Sequence, residues 1–196
     1  AYQPKQLRSG ERRLTLTMPA SYTPSAPNGV GTDDYRCFLL DPKLARDVFL
    51  TGTFVQPGNA DVVHHVILFR VPPDLVDRAH QLDDETEGEG WTCFGNSGLE
   101  NGPGLDNAPW LGAWAPGGTE SVQRPGFGVE LPKGTQIVMQ VHYNLLAGPG
   151  SDISRTLLRI APKSADLTAL ETMLLPAPVE LPCRAKYADG PLCDRA

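Results

Sequence analysis

Two adjacent histidines interrupt an apolar run, DVVHHVILF, at residues 61–69. The run is rich in β-branched, aliphatic and aromatic side chains and ends before Pro72 and Pro73, which is typical of a buried strand. Successive side chains of a regular strand leave on opposite faces of the sheet, so His64 and His65 should point apart. The pair is therefore either two separate core histidines or a local distortion of the strand.

The remaining two histidines are His80 and His142. His80 lies in a polar helical turn, where a solvated histidine is expected, whereas His142 lies in a second strand pattern, TQIVMQVHYNLL. A single strand histidine is most often a satisfied core residue. Three neutral imidazoles converging from two strands would instead form a three-nitrogen metal site suited to zinc or copper. The separation of His142 from the pair matches no short zinc motif, so such a site requires tertiary contact.

Other chemistry has weaker support in the sequence. No nucleophile elbow and no glycine-rich phosphate loop is present. The acidic run of residues 83–89 does not have the spacing of the twelve-residue calcium loop, so we expect a solvated segment there. Trp91, Trp110 and Trp114 could line a ligand groove, although buried aromatic side chains are commoner in sandwich cores.

The elements that would position these residues are mostly strands. The 196 residues include 20 Gly and 19 Pro, and short apolar or alternating runs are separated by turn-forming residues. One helical turn is expected over DLVDRAHQL, with Asp74 as its N-cap and Leu75, Ala79 and Leu82 on one side. We find no internal repeat and no domain linker. The sequence therefore predicts an all-β fold of two packed sheets.

The charge and the cysteines limit the setting in which the protein acts. The net charge is -6, and the basic residues form no stripe, so a nucleic-acid partner is not expected. No apolar run approaches the roughly 20 residues of a transmembrane helix, so no membrane span is expected. Four cysteines in a loop-rich chain suit a secreted or otherwise extracytoplasmic protein with two disulfides.

Several ordered motifs resemble one family. HHVILF is similar to the HHM-containing strand of the copper type II, ascorbate-dependent monooxygenases, the family of peptidylglycine α-hydroxylating monooxygenase and dopamine β-monooxygenase. LPKGTQIVMQVHYN resembles the strand of that family that ends in VHY, and DDYRC, GWTCFG and LGAWAPGG occur in the matching order. The resemblance covers roughly residues 14–160. Val66 stands where the family usually has Met, at a position that is not a copper ligand.

The resemblance implies a jelly-roll-like antiparallel β-sandwich that binds one copper ion through His64, His65 and His142. In the family this copper stores and passes electrons supplied by ascorbate. A second copper, held by an HxH pair and a methionine on a following domain, activates oxygen and hydroxylates a C–H bond of a small-molecule or peptide substrate. This sequence contains no HxH. We therefore expect an electron-transfer domain that is inactive by itself and works with a C-terminal catalytic domain or a second chain.

The expected organisation has three parts. Residues 1–13 form a loosely held N-terminal arm, residues 14–182 form the copper-binding β-sandwich, and residues 183–196 form a Cys-containing tail that leads to the missing second domain. The alternatives are a stand-alone copper-binding or copper-carrying module without catalysis, and a structural sandwich with core histidines. The last alternative fails if the three histidines share one metal.

Two further expectations can be checked in the structure. The resemblance places YRC and WTC around the HH strand, which implies a disulfide between Cys37 and Cys93, expected to join the two sheets. Cys183 and Cys193 are expected to pair because they are close in sequence. The HH strand itself should be irregular at the pair, through a bulge or a strand end, because both imidazoles must reach one metal.

Overall fold

The computed structural model describes residues 4–26, 29–99, 109–172 and 186. Within these residues the chain forms eleven strands and one α-helix. The elements in chain order are β1 (Arg12–Thr17), β2 (Asp33–Leu40), β3 (Val48–Gln56), β4 (Val63–Val71), α1 (Val76–Asp84), β5 (Trp91–Thr92), β6 (Trp110–Trp114), β7 (Ser121–Val122), β8 (Phe127–Leu131), β9 (Gln136–Asn144), β10 (Arg155–Pro162) and β11 (Thr168–Ala169).

The strands form two sheets, which confirms the predicted all-β sandwich. One sheet has the order β1-β10-β3-β8-β11, with β7 also paired to β3. The other has the order β5-β2-β9-β4-β6, and its strand pairs are all antiparallel. The two-residue pairing of β11 with β8 is parallel. Strands that are distant in sequence are thus neighbours, and β9 lies between β2 and β4.

The main core lies between the sheets and follows the period-2 pattern of the strands. On β9, Ile137, Met139, Val141 and Tyr143 face this core, as the alternation predicts. They pack against aliphatic side chains of the other sheet, such as Leu158. The alternate residues of β9, which include His142, therefore face the outer side of the five-stranded sheet.

A second apolar cluster covers part of that outer face. Val138 and Phe69 of the sheet pack there with Trp91, Cys37 and Cys93, and α1 contributes to the same cluster. Cys37 and Cys93 form a disulfide, as the resemblance implies. The expectation that it joins the two sheets is wrong. Because Cys37 alternates with core residues on β2, its side chain points outward, to the segment that follows β5 in the same sheet.

The single described helix is close to the predicted one but is not capped as expected. Residues Pro73–Leu75 form a 3-10 turn, and α1 follows with no side-chain hydrogen bond at its N-cap, Leu75. The predicted cap by Asp74 is therefore wrong. Leu75, Ala79 and Leu82 face the outer apolar cluster as predicted. No helix in the described part of the chain is long and apolar enough to cross a membrane.

The N-terminal segment is tied to the sandwich more firmly than expected. Strand β1 begins at Arg12, inside the segment expected to be an arm. Glu11 forms a buried ion pair with Arg159 of β10, at 2.5 Å, and Lys5 bonds Glu120. The polar composition of residues 1–13 did not indicate this anchoring, because the partners are charged residues far away in sequence. The predicted tail, residues 183–196, and its Cys183–Cys193 pair lie outside the described residues, apart from Lys186.

Candidate metal centre

A β-bulge places both adjacent histidines on one face of the sheet. Val63 pairs with Tyr143 and Val66 with Val141, so two residues of β4 oppose the single residue His142 of β9. Val63 and Val66 both face the main core. In a regular strand, positions three apart would face opposite sides. The extra residue in β4 compensates for this odd spacing, so Val63 and Val66 both face the core and His64 and His65 both project outward. The expected irregularity of the strand is confirmed.

The three imidazoles converge through the same ring atom. The Nδ1 atom of His64 lies 3.2 Å from that of His65 and 3.1 Å from that of His142, and the third separation is 3.2 Å. Three nitrogen lone pairs at this separation repel one another unless a proton or a cation lies among them. The group could therefore hold a metal ion.

The size of the triangle fits a transition metal. The point equidistant from its three corners lies about 1.8 Å from each nitrogen, slightly less than the 2.0–2.1 Å of a typical metal–imidazole bond. The triangle is therefore of a size at which all three imidazoles could bind one ion. Ions that prefer oxygen ligands, such as calcium and magnesium, do not suit a set of three imidazoles.

The ring of His142 is held in place from two sides. Its Nε2–H donates a hydrogen bond to Oδ1 of Asp33 at 2.7 Å, so Nδ1 is the atom that carries the free lone pair. Tyr35, which lies directly opposite on β2, stacks on the same ring with a centroid distance of 4.1 Å and an interplanar angle of 4°. Asn144 also donates to Asp33 at 3.0 Å. This ligand is thus oriented before any metal binds.

Burial and charge differ among the ligands. His142 is buried, His65 is half-buried and His64 is exposed. Burial lowers the pKa of His65, and the two neighbouring imidazoles lower it further, which favours the neutral form that a metal needs. The hydrogen bonds from His142 and Asn144 lower the pKa of Asp33, so this carboxylate stays ionised beside the site.

An apolar groove borders the exposed side of the centre. His64 and His65 lie at its margin, and Trp110 and Trp114 of β6 contribute to its walls. Trp91 belongs instead to the outer apolar cluster, where it is buried. Of the three tryptophans considered from the sequence, two therefore line a groove and one is a core residue.

The three predicted metal ligands are thus brought together, and the fourth histidine is not. His80 is exposed on α1, as expected for a solvated side chain. Sequence reasoning did not identify Asp33 and Tyr35 as residues of the site. Both residues lie in the motif DDYRC and have period-2 spacing in β2, a signal that becomes informative once the register of β2 with β9 is known.

Comparisons with known proteins do not identify the family. No protein-family model matches the chain, and a search of curated proteins found no match. The sequence motifs and the geometry of the histidine centre are therefore the observations that bear on the function of this chain.

Proposed function

We propose that this chain is the electron-transfer domain of a copper- and ascorbate-dependent monooxygenase and that it holds one copper ion through His64, His65 and His142. The convergence of the three Nδ1 atoms within 3.2 Å is the observation that carries the proposal. The order of the family-like motifs and the Cys37–Cys93 disulfide support it.

The donor set favours copper over structural zinc. The group contains three imidazoles and no thiolate, a set that accepts copper in both of its common oxidation states. Structural zinc sites are usually closed by four protein ligands. Among the described residues, the candidate group consists of the three histidines alone. A site with three nitrogens and one exposed side fits an ion that exchanges electrons better than one that only stabilises a fold.

The residues around the proposed copper ion would have different roles. When bound, the copper would accept and release single electrons. Asp33 and Tyr35 hold the ring of His142. This ligand would therefore keep its position in both oxidation states of the copper, which would lower the cost of reorganisation during electron transfer. His64 is exposed and offers the edge through which ascorbate, the proposed donor, would deliver electrons.

The proposal assigns C–H hydroxylation to a second copper that this sequence does not hold. The sequence contains no HxH. A further domain or a second chain would supply the oxygen-activating copper and most contacts to a small-molecule or peptide substrate. The disulfide and the setting of the family support an extracytoplasmic location. A copper carrier is the second candidate, because the exposed position of His64 would also permit release of the ion to a partner.

Metal titration of the purified chain tests the proposed site. Wild-type protein should bind one copper ion, and ascorbate should reduce it, as followed by loss of the Cu(II) electron paramagnetic resonance signal. His142→Ala should lose most of the binding, whereas His80→Ala, a histidine outside the centre, should bind as wild type. Equal copper content in His142→Ala and wild type would contradict the site.

A second measurement separates the two candidate functions. An electron-transfer domain should retain its copper through repeated cycles of reduction by ascorbate and reoxidation. A carrier should release the reduced ion to a competing chelator of moderate affinity. Product formation from a hydroxylation substrate by the 196 residues alone would contradict the assignment of catalysis to a second copper.

A further inference from the structure

A row of aromatic rings crosses the outer face of the five-stranded sheet at the level of the histidine centre. His65 on β4, His142 on β9 and Tyr35 on β2 are directly paired across three neighbouring strands. The ring centroids of His65 and His142 lie 4.7 Å apart, and those of His142 and Tyr35 lie 4.1 Å apart. Phe94 then contacts Tyr35 edge-to-face, at 4.7 Å and 81°. Two of the three proposed copper ligands thus belong to a continuous series of rings.

The segment that carries Phe94 is fastened to the strands of the site. Cys93 is held to β2 by its disulfide, and its backbone N–H donates to the carbonyl of Tyr35 at 3.2 Å. On the other side of Phe94, the carbonyl of Asn96 accepts a hydrogen bond from the side chain of Gln140 on β9. The backbone that presents the phenyl ring is therefore fixed relative to both β2 and β9.

The contact of Phe94 with Tyr35 is separate from the two apolar clusters of the fold. Phe94 is 73% exposed, and it packs neither in the core between the sheets nor in the outer apolar cluster. Removal of its ring would therefore cost little apolar burial. The main consequence should be greater freedom of the Tyr35 ring, which is half-buried.

We propose that Phe94 is a positioning residue of the metal centre. Its ring restricts Tyr35 to the orientation that stacks on His142, at an interplanar angle of 4°, and so keeps Nδ1 of His142 directed at the other two imidazoles. Without Phe94, Tyr35 would sample other rotamers, and only a fraction of the molecules would present His142 in the binding orientation. The part of this inference that concerns copper rests on the proposed function, whereas the effect on the His142 ring does not.

The expected loss of copper affinity is about threefold, because the apparent affinity falls in proportion to the fraction of molecules that can bind. An edge-to-face aromatic pair changes an equilibrium constant by roughly 2- to 12-fold. The effect should lie at the low end of this range for two reasons. The ring of Phe94 is largely exposed, and the hydrogen bond from His142 to Asp33 remains when Phe94 is removed.

Copper competition and electron paramagnetic resonance of the full chain test the effect on the bound ion. Phe94→Ala should bind copper about threefold more weakly and should broaden the hyperfine lines of the Cu(II) spectrum, because His142 would adopt a range of orientations. Phe94→Tyr keeps an aromatic ring at this position and should restore both properties. Leu146→Ala, which removes a side chain that is 79% exposed and lies outside the row of rings, should match wild type.

Nuclear magnetic resonance of the metal-free chain gives a readout that needs no copper. Stacking at 4.1 Å shields the ring protons of His142, so their signals should lie upfield of those of the exposed His80. Phe94→Ala should shift them part of the way toward the His80 position. Tyr35→Leu, which removes the stacked ring itself, should shift them further.

The outcomes separate this inference from the proposed function. If the wild-type chain bound no copper but Phe94→Ala altered the His142 signals, the proposed function would fail and the positioning role would stand. If copper bound and Phe94→Ala kept wild-type affinity, line width and chemical shifts, the positioning role alone would fail. A lower midpoint of urea unfolding in Phe94→Ala with unchanged His142 signals would show that Phe94 only stabilises the fold, and would also overturn the inference.

Discussion

Replacement of Asp33 by Asn should weaken copper binding without removing a metal ligand. The carboxylate accepts the Nε2–H of His142 at 2.7 Å and an amide N–H of Asn144 at 3.0 Å. An asparagine oxygen can accept the same two bonds, so the variant preserves the shape of the site and removes its negative charge. The charge matters because it raises the basicity of the imidazole of His142, the proposed metal ligand.

The expected loss of affinity is about tenfold. Loss of an outer partner of a metal-bound histidine typically lowers metal affinity by 10- to 100-fold. The side chain of Asp33 is 46% exposed, and water screens the charge of such a group. The effect should therefore lie at the low end of this range. His142→Ala, which removes the ligand itself, should have a much larger effect.

Competition with a chromophoric copper chelator measures both affinities under one set of conditions. Asp77→Asn, on the exposed side of α1, is the matched control for the loss of one carboxylate and should bind copper as wild type. If Asp33→Asn kept wild-type affinity while His142→Ala lost it, the argument that Asp33 tunes this ligand would be refuted.

Three further predictions concern stability in urea unfolding. Replacement of Cys37 and Cys93 together by serine should cost roughly 4 kcal/mol, from the entropy of a loop with a sequence separation of 56; an unchanged midpoint would contradict this. Burial raises the pKa of Glu11, but hydrogen bonds with Arg159 and the N-terminal backbone outweigh this effect and lower the pKa from 4.5. The ionised Glu11 carboxylate therefore stabilises the fold above pH 4.5, and this stabilisation declines below that pH. Glu11→Gln should therefore lose stability at pH 7, and its difference from wild type should shrink below pH 4.5. Gly90 has a φ of 68°, and a Cβ there would lie 2.1 Å from the carbonyl oxygen of Cys37, so Gly90→Ala should cost about 2 kcal/mol or more.

The strands could be predicted because their signals are local, whereas the grouping of His64, His65 and His142 was implied by the family resemblance. The alternation of β9 assigns His142 to the face opposite the core, and the apolar run of β4 predicts a buried strand. The bulge could be predicted because two adjacent imidazoles can share a metal only if the strand departs from regular geometry. These predictions required no knowledge of strand order.

The supporting residues could not be predicted because they depend on register. Tyr35 stacks on His142 only because the two residues are directly paired between β2 and β9, and local periodicity does not determine which residues pair. The prediction that the disulfide joins the two sheets was wrong for a related reason. The family resemblance implied the pairing of Cys37 with Cys93 but did not indicate which face of β2 carries Cys37.

Because of the bulge, His64 could be removed from the site without disturbing the core. Val63 and Val66 keep their places in the core because one extra residue lies between strand positions that would otherwise alternate regularly. Deletion of His64 would restore that alternation and leave His65 opposite His142, with every core residue of β4 in its present place. A homologous strand could thus gain or lose a ligand by a single-codon insertion or deletion. In such a lineage, a one-residue gap in a sequence alignment at this position would mark the loss of one of the three imidazoles.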